Sequence, residues 1–315
     1  MWHICRMKYD KIIIDGNNFL YRAYFVQKSA PDADNATIYQ FLYMLKTLKE
    51  TYGGDRIYIT WDRRLNPGGP NFRKDVQTYK EQRVETEDTH KIWQLCDILQ
   101  EIMPYFGVMT VLPLNLEADD VVGFLSQIEG TGLIISSDKD LFQLVDDRTN
   151  VQHRKLIINP DNFEQIVGVA QKYFMFYKAI IGDVSDNIKG FDLYGPVKAN
   201  RLSKKLVDEH NVTVDAVLND TADLSCLTTD QQTILKHNLQ MMYLPYAHKF
   251  TDEFESYKTQ LAEQESICAY DSEKVKEMFK KYKFDNFLRQ FGRWNMLFDR
   301  QTEIDQGNIL DFISM

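Results

Sequence analysis

Residues 11–15, KIIID, form a short apolar run that ends on an acid, and this predicts a buried strand closing at Asp15. The same pattern returns at 56–61, before Asp62, and at 132–136, just before Asp138. A weaker apolar run at 107–112 predicts a further strand. Between these runs the apolar period lengthens to that of helices, at 36–52, at about 88–103 and from 117 onward. Asn35 is a candidate cap for the first helix, and Gly53-Gly54 is its stop. Strands alternating with helices predict an α/β fold with a mainly parallel sheet. From about 170 the pattern is helical, which predicts a second, α-helical lobe.

One segment breaks the alternation. Residues 63–86 hold Arg63, Arg64, Arg73, Lys74, Lys80 and Arg83 against three acids. Asn66-Pro67-Gly68-Gly69-Pro70 within it is incompatible with regular structure. It reads as a basic segment crossing an opening.

Composition changes this picture in one respect. Of 315 residues, 44% are hydrophobic and 13% aromatic, ample for a packed core. Asp and Glu number 46 against 37 Lys and Arg, a formal charge of −9 that argues against a nucleic-acid partner. Nine of the acids, however, lie in five small clusters: Asp15; Asp62; Glu117, Asp119 and Asp120; Asp138 and Asp140; Asp183 and Asp186. These nine equal the whole acidic excess, so the rest of the chain is formally neutral. The four cysteines, Cys5, Cys96, Cys226 and Cys268, are widely spaced and read as free thiols of a reducing cytoplasm. The N-terminus lacks the apolar core of a signal peptide. No apolar run approaches the ~20 residues of a membrane span. A cytoplasmic monomer is expected.

Each acidic cluster alone has an ordinary explanation. Asp at a strand-to-helix turn caps the helix and complements its dipole. Asp138 and Asp140 fit that description, and so do Glu117, Asp119 and Asp120. Asp183 and Asp186 could be a solvated turn. Together they admit another reading. Acids at the carboxyl ends of parallel strands gather where such sheets place their sites. Carboxylates gathered without a counter-charge are a cage for hard divalent cations such as Mg²⁺. Two such ions would suit phosphodiester hydrolysis. After Asp186 come Lys189, Lys198, Arg201, Lys204 and Lys205, and Gly195-Pro196 makes a good helix start. A helix–loop–helix with a glycine-bearing turn and trailing lysines suits a phosphate backbone.

Several stretches carry a resemblance. IIIDGNNFLYRAYF (12–25), FRKDVQTYKEQR (72–83), Glu117-Ala118-Asp119-Asp120, Ser137-Asp138-Lys139-Asp140, Gly182-Asp183-Val184-Ser185-Asp186-Asn187 and VKEMFKKYKFDNFL (275–288) occur in order. Together they resemble the 5′-nuclease family: flap endonucleases, the exonuclease domain of bacterial DNA polymerase I and phage replicative 5′-exonucleases. The resemblance implies a PIN-like α/β core over 1–168, with a helical arch at 63–86. It also implies a helical lobe over 169–300 with a helix-hairpin-helix, and a tail at 301–315. It implies a structure-specific 5′ nuclease that removes flaps or primers in DNA replication in a bacterial or phage-infected cell. Its partner would be DNA with 5′ flaps, nicks or RNA primers. Two Mg²⁺ ions would serve it, with Mn²⁺ able to substitute. Asp15, Asp62, Glu117 and Asp119 would hold the first ion, with Asp120 near it. Asp138, Asp140 and Asp186 would hold the second, with Asp183 adjacent. Lys80 and Arg83 would reach the scissile phosphate, and Tyr79 would stack on a terminal base. Arg73, Lys74, Lys189, Gly195, Lys198 and Arg201 would contact DNA.

The chain departs from the family pattern at Leu193, where a hairpin glycine is expected, and Pro196 removes one amide. In the tail, Gln306, Ile309, Phe312 and Ile313 have the spacing of sliding-clamp peptides, with Ile313 in place of an aromatic. A final helical turn packed on the chain's own core is the alternative. No polymerase domain follows, which would make the protein a separate factor. Two other functions compete: a catalytically silent, structure-specific DNA-binding protein tethered to a clamp, and a PIN-like single-strand ribonuclease.

Overall fold

The computed structural model describes residues 8–62, 73, 80, 86–244 and 251–299. The chain divides into two compact units. The first takes residues up to 62, 86–137 and from 252; the second takes 138–251 with Arg73 and Lys80. The division is interleaved: the chain leaves the first unit after Ser137 and returns at Asp252.

The first unit opens with strand β1 (Tyr9–Asp15), in which Ile12, Ile13 and Ile14 are wholly buried. Asp15 caps helix α1 (Gly16–Gln27) through an oxygen that accepts from the Asn18 amide at 3.1 Å. The periodicity does not predict this helix, because Gly-Asn-Asn reads as a turn when the capping bond is not in view. Helix α2 (Ala33–Tyr52) is capped by Asp32, which accepts from the Asn35 amide at 3.2 Å. Asn35 is therefore inside the helix and not its cap. Gly53 ends α2 with φ +74°. Phe19 and Phe41 meet edge to face with 5.0 Å between ring centres and tie α1 to α2.

Strand β2 (Gly53–Thr60), helix α3 (Glu87–Ile102), strand β3 (Val108–Thr110), helix α4 (Ala118–Gln127) and strand β4 (Gly132–Ile135) follow. The strands run in the order β3-β2-β1-β4. All three pairings are parallel, with Asp15 opposite Thr60, Ile14 opposite Ile135 and Ile59 opposite Thr110. The chain builds outward from β1 to β3, then returns to the other side of β1, so the order reverses between β1 and β4. Open parallel sheets form sites at that reversal, beyond the carboxyl ends of the strands. Asp15 stands there.

Two side-chain devices fix the frame. Lys11 is wholly buried on β1, and its ammonium donates to the carbonyls of Ser126 (3.0 Å) and Ile128 at the end of α4. A cation there answers the unpaired carbonyls of the helix terminus. Gly16 lies so close to β2 that a Cβ would meet the Thr60 carbonyl at 2.5 Å and the Trp61 ring at 2.6 Å.

The second unit contains a hairpin of β5 (Thr149–His153) and β6 (Leu156–Ile158), helix α5 (Phe163–Val167) and the apolar helix α6 (Phe174–Ile181). A short antiparallel pair, β7 (Gly182–Asp183) and β8 (Ile188–Lys189), leads to α7 (Pro196–Lys204), α8 (Val214–Leu218) and α9 (Thr229–Met242). The predicted start of α7 holds, with Gly195 as cap and Pro196 as first residue. Buried Asn238 of α9 donates to the Ala179 carbonyl (2.8 Å) and the Lys189 carbonyl (2.9 Å), locking α6 to β8.

Back in the first unit, α10 (Thr251–Ile267) lies along the segment after β3. Gln260 accepts from the Leu112 amide at 2.8 Å and Glu253 from the Leu114 amide at 3.0 Å, so side chains do what a further strand would do at this edge. Helices α11 (Ser272–Lys281), α12 (Asp285–Arg289) and α13 (Phe291–Phe298) close an aromatic cluster of Phe106, Phe279, Phe287, Trp294 and Phe298. No helix among the described residues is long and apolar enough to cross a membrane.

Gly16→Ala should lower stability by about 1–3 kcal/mol, because its Cβ meets backbone that cannot swing aside. Chemical denaturation measures this, and the loss should exceed that of Gly292→Ala, where a Cβ meets nothing within 4 Å.

Candidate active site

In the first unit, five of the nine carboxylates reach one edge of the sheet. Asp15 ends the central strand and is 7% exposed. One of its oxygens caps α1 and the other accepts from the Ser136 hydroxyl at 2.8 Å, just beyond β4. Asp62 follows β2; its amide donates to the Asn17 side chain at 2.8 Å, and its carboxylate accepts from the Ala118 amide at 3.0 Å. That amide opens α4, so Asp62 sits at the positive end of this helix. Glu117 is the capping residue of α4, and Asp120 reaches back to the Glu117 amide at 3.0 Å in a capping box. Asp120 is almost wholly buried, while Glu117 and Asp119 are half-buried. Helix N-termini thus position Asp15, Asp62 and Asp120 at this edge.

Asn17 and Asn18 belong to this edge although their chemistry does not announce it. Asn18 accepts from both the amide (3.0 Å) and the hydroxyl (2.8 Å) of Ser137. The only signal for them is the Asn-Asn pair directly after the strand-ending Asp15.

In the second unit, Asp138 accepts from the Asp140 amide at 2.8 Å, and a 3₁₀ turn starts at Asp140. The ammonium of Lys178, near the end of α6, donates to Asp140 and, at 3.0 Å, to Asp183. Asp183 is turned toward it by Gly182, whose φ is +79°, and also accepts from the Ser185 amide and hydroxyl. This turn needs its glycines: a Cβ on Gly182 would meet Gly190 N at 2.4 Å, and one on Gly190 would meet the Ile181 carbonyl at 2.1 Å. Burial pushes Asp140 up to about 6, helped by the charges of Asp138 and Asp183 and opposed by Lys178. Burial would also raise Asp183, but Lys178 and Ser185 hold it below the usual range. Lys80 pairs with the fourth acid: its ammonium is 3.8 Å from Asp186, and its amide donates to the Asp186 carbonyl at 3.2 Å.

The donors are all hard oxygens, and in the second unit Lys80 and Lys178 pair with three of them, Asp186, Asp140 and Asp183. The chemistry of the set therefore suits Mg²⁺ or its relatives. Its spacing does not yet match: among the described residues no three Asp, Glu, His or Cys side chains stand close enough to hold a metal ion. Amides occupy oxygens of Asp15, Asp62 and Asp120, and Lys178 stands between Asp140 and Asp183.

Other expected contacts sort as follows. Arg73 is only 2% exposed and donates from Nε to the Met241 carbonyl at 2.8 Å, so it is a buried tether and not an open contact to nucleic acid. Its place in a basic stretch suggested exposure, but a guanidinium with buried carbonyl partners packs inside as well. Lys189, Gly195, Lys198 and Arg201 are exposed. Lys189 pairs with Asp192 at 3.0 Å, and Lys198 donates to the Leu193 carbonyl at 3.2 Å. Lys74, Tyr79, Arg83, Gln306, Ile309, Phe312 and Ile313 lie outside the described residues.

The model of the 5′-3′ exonuclease N-terminal resolvase-like domain matches residues 10–173, more than half of the chain. The chain belongs to the 5′-3′ exonuclease family. It is 32% identical to a 5′-3′ exonuclease of Buchnera aphidicola from Schizaphis graminum over 212 residues, covering 64% of this chain and 72% of that protein. A Mycoplasma pneumoniae 5′-3′ exonuclease is 28% identical over 308 residues, 90% of this chain and 99% of that one. A structure of the bacteriophage T5 flap endonuclease, in a pseudo-enzyme–product complex with DNA and metal ions, matches with a TM-score of 0.61 and 19% identity. It covers 81% of this chain and 99% of that one, and shows that the fold is shared.

The backbone at Leu193 has a local cost. Leu193 has φ +64° and is 89% exposed, so a branched side chain holds a left-handed turn with no packing in return. Leu193→Gly should raise stability by about 0.5–1 kcal/mol, the relief of strain exceeding the added freedom of the unfolded chain. Thermal unfolding checks this, with Leu193→Ala as the control that should gain nothing.

Proposed function

We propose that the chain is a structure-specific 5′ nuclease that hydrolyses phosphodiester bonds at duplex junctions and so removes flaps or primers during DNA replication. The observation that carries this is the gathering of Asp15, Asp62, Glu117 and Asp120 beyond the strand ends, beside the reversal of strand order. Surplus carboxylates at that place suit the handling of a cation-bound phosphate and little else.

On this reading Asp15, Asp62, Glu117 and Asp119 hold one Mg²⁺, with Asp120 supporting Glu117 through its amide. Asp138, Asp140 and Asp186 hold the other, with Asp183 beside them. Mn²⁺ substitutes for Mg²⁺. The bound ions supply Lewis acidity toward the phosphate and a water of lowered pKa. The chain's own side chains do the rest. The capped helices keep the carboxylates from swinging apart. Lys80, held over Asp186, and Arg83 neutralise charge that grows on the phosphate. Tyr79 stacks on a terminal base. Lys189, Lys198 and Arg201, with the amide end of α7 at Gly195, hold the duplex backbone in the manner of a helix-hairpin-helix. The product carries a 5′-phosphate. Gln306, Ile309, Phe312 and Ile313 form a peptide for a replicative sliding clamp.

A 5′-labelled flap and a nicked duplex test the chemistry. Cleavage should require Mg²⁺ or Mn²⁺ and stop in EDTA, and cutting that persists in EDTA refutes the metal-dependent reading. Asp138→Ala and Lys80→Ala should each slow cleavage by roughly 10²-fold or more while DNA is still bound, the first by loss of a carboxylate that holds the ion and the second by loss of a charge that acts on the reacting phosphate. Removal of 306–315 should abolish stimulation by a clamp and leave basal cleavage unchanged. An equal loss of both would make the tail part of the fold.

A further inference from the structure

Lys178 is a charged residue in a helix, Phe174–Ile181, whose other seven residues are apolar or aromatic. Its side chain is 11% exposed, and its ammonium bridges Asp140 and Asp183. A buried ammonium is costly unless paired, and one with two carboxylate partners is well compensated. Burial works against the charge, yet Asp140 and Asp183 outweigh it and hold the lysine above its ordinary pKa. Its geometry is also built in. Lys178 and Asp183 are five residues apart across the Gly182 turn, and that turn is fixed by its contact with Gly190 and by Asn238.

Building on the metal-dependent reading above, we propose that Lys178 is the resident counter-ion of this carboxylate group and that its ammonium competes with a divalent cation for the oxygens of Asp140 and Asp183. Without a divalent ion, the lysine keeps acids together that would otherwise repel. An ion taken up by Asp140 meets a fixed positive charge on the same oxygens, so uptake requires the ammonium to leave. Lys178 thereby raises the cation concentration at which this carboxylate group loads, so the ion taken up here is the weakly held one.

Mn²⁺ binding to the full-length protein, followed by the electron paramagnetic resonance of the free ion and without DNA, tests this. Lys178→Met should bind its weaker Mn²⁺ at least tenfold more tightly than the wild type, and Lys178→Arg should match the wild type. A folded Lys178→Met whose weaker Mn²⁺ affinity is unchanged or lower overturns the proposal while leaving the metal-dependent reading intact. If neither protein takes up Mn²⁺, both fall. Should Lys178→Met not fold, the wild type decides alone. With ¹⁵N-labelled lysine, the Lys178 ammonium should give a slowly exchanging signal in EDTA that is lost as Mg²⁺ saturates the protein. A signal indifferent to saturating Mg²⁺ rules the competition out.

Discussion

Repulsion between like charges is the constraint that the rest of this molecule answers. A carboxylate brought near another, out of full contact with water, loses solvation and gains repulsion, and a pair left alone would swing apart or take up a proton. The two units meet this in different ways. In the first, peptide dipoles do the work: the open amides of α1 and α4 each point at an acid, and the acids stay because leaving would orphan those amides. In the second, a lysine is inserted among them. Dipoles leave a carboxylate its full charge and its remaining lone pairs. An ammonium neutralises part of the charge and occupies the lone pairs as well.

The frame follows from the need to fix such groups without flexible support. Asp15 cannot shift, because β1 is the buried centre of the parallel sheet and Gly16 lies against the backbone of β2. Lys11, on the same strand, fastens the far end of α4, whose near end receives Asp62. Helix α4 is thus tied at both poles by charged side chains, to β1 through Lys11 and to the end of β2 through Asp62. The edge beyond β3 is satisfied by the glutamines and the glutamate of α10, and the sheet can stop there without exposing open amides.

What the sequence made legible was whatever depends on period and punctuation. Apolar runs ending in acids marked β1, β2 and β4, because buried parallel strands have no polar face to confuse the pattern. The start of α7 was legible because proline and glycine constrain the backbone locally. The α1 helix escaped because its cap, Asp15, also carried a competing role, and the turn-like Gly-Asn-Asn concealed its start. Arg73 and Lys178 were hidden for a common reason. Neither burial nor the partner of a long cationic side chain is written in its neighbours: Met241 is 168 residues from Arg73, and Asp140 is 38 residues from Lys178. A basic residue in a basic stretch and a lysine in an apolar helix both find their meaning only through distant oxygens.

This also explains why capping and metal ligation are poor rivals as readings of these acids. A cap needs a carboxylate at a helix N-terminus with one oxygen turned inward. A cation site needs several carboxylates near one another with oxygens turned outward. The end of a parallel sheet can serve both needs with the same residues, since each strand there is followed by a turn that presents amides. Asp15 has one oxygen on the Asn18 amide and the other on Ser136, and a hydroxyl is a partner that can turn to accept or donate as the occupant of the site changes. A carboxylate held by an amide on one side and a rotatable hydroxyl on the other is fixed in place yet adjustable in its bonding. Asp140 has no such latitude, because its counterpart is a charge.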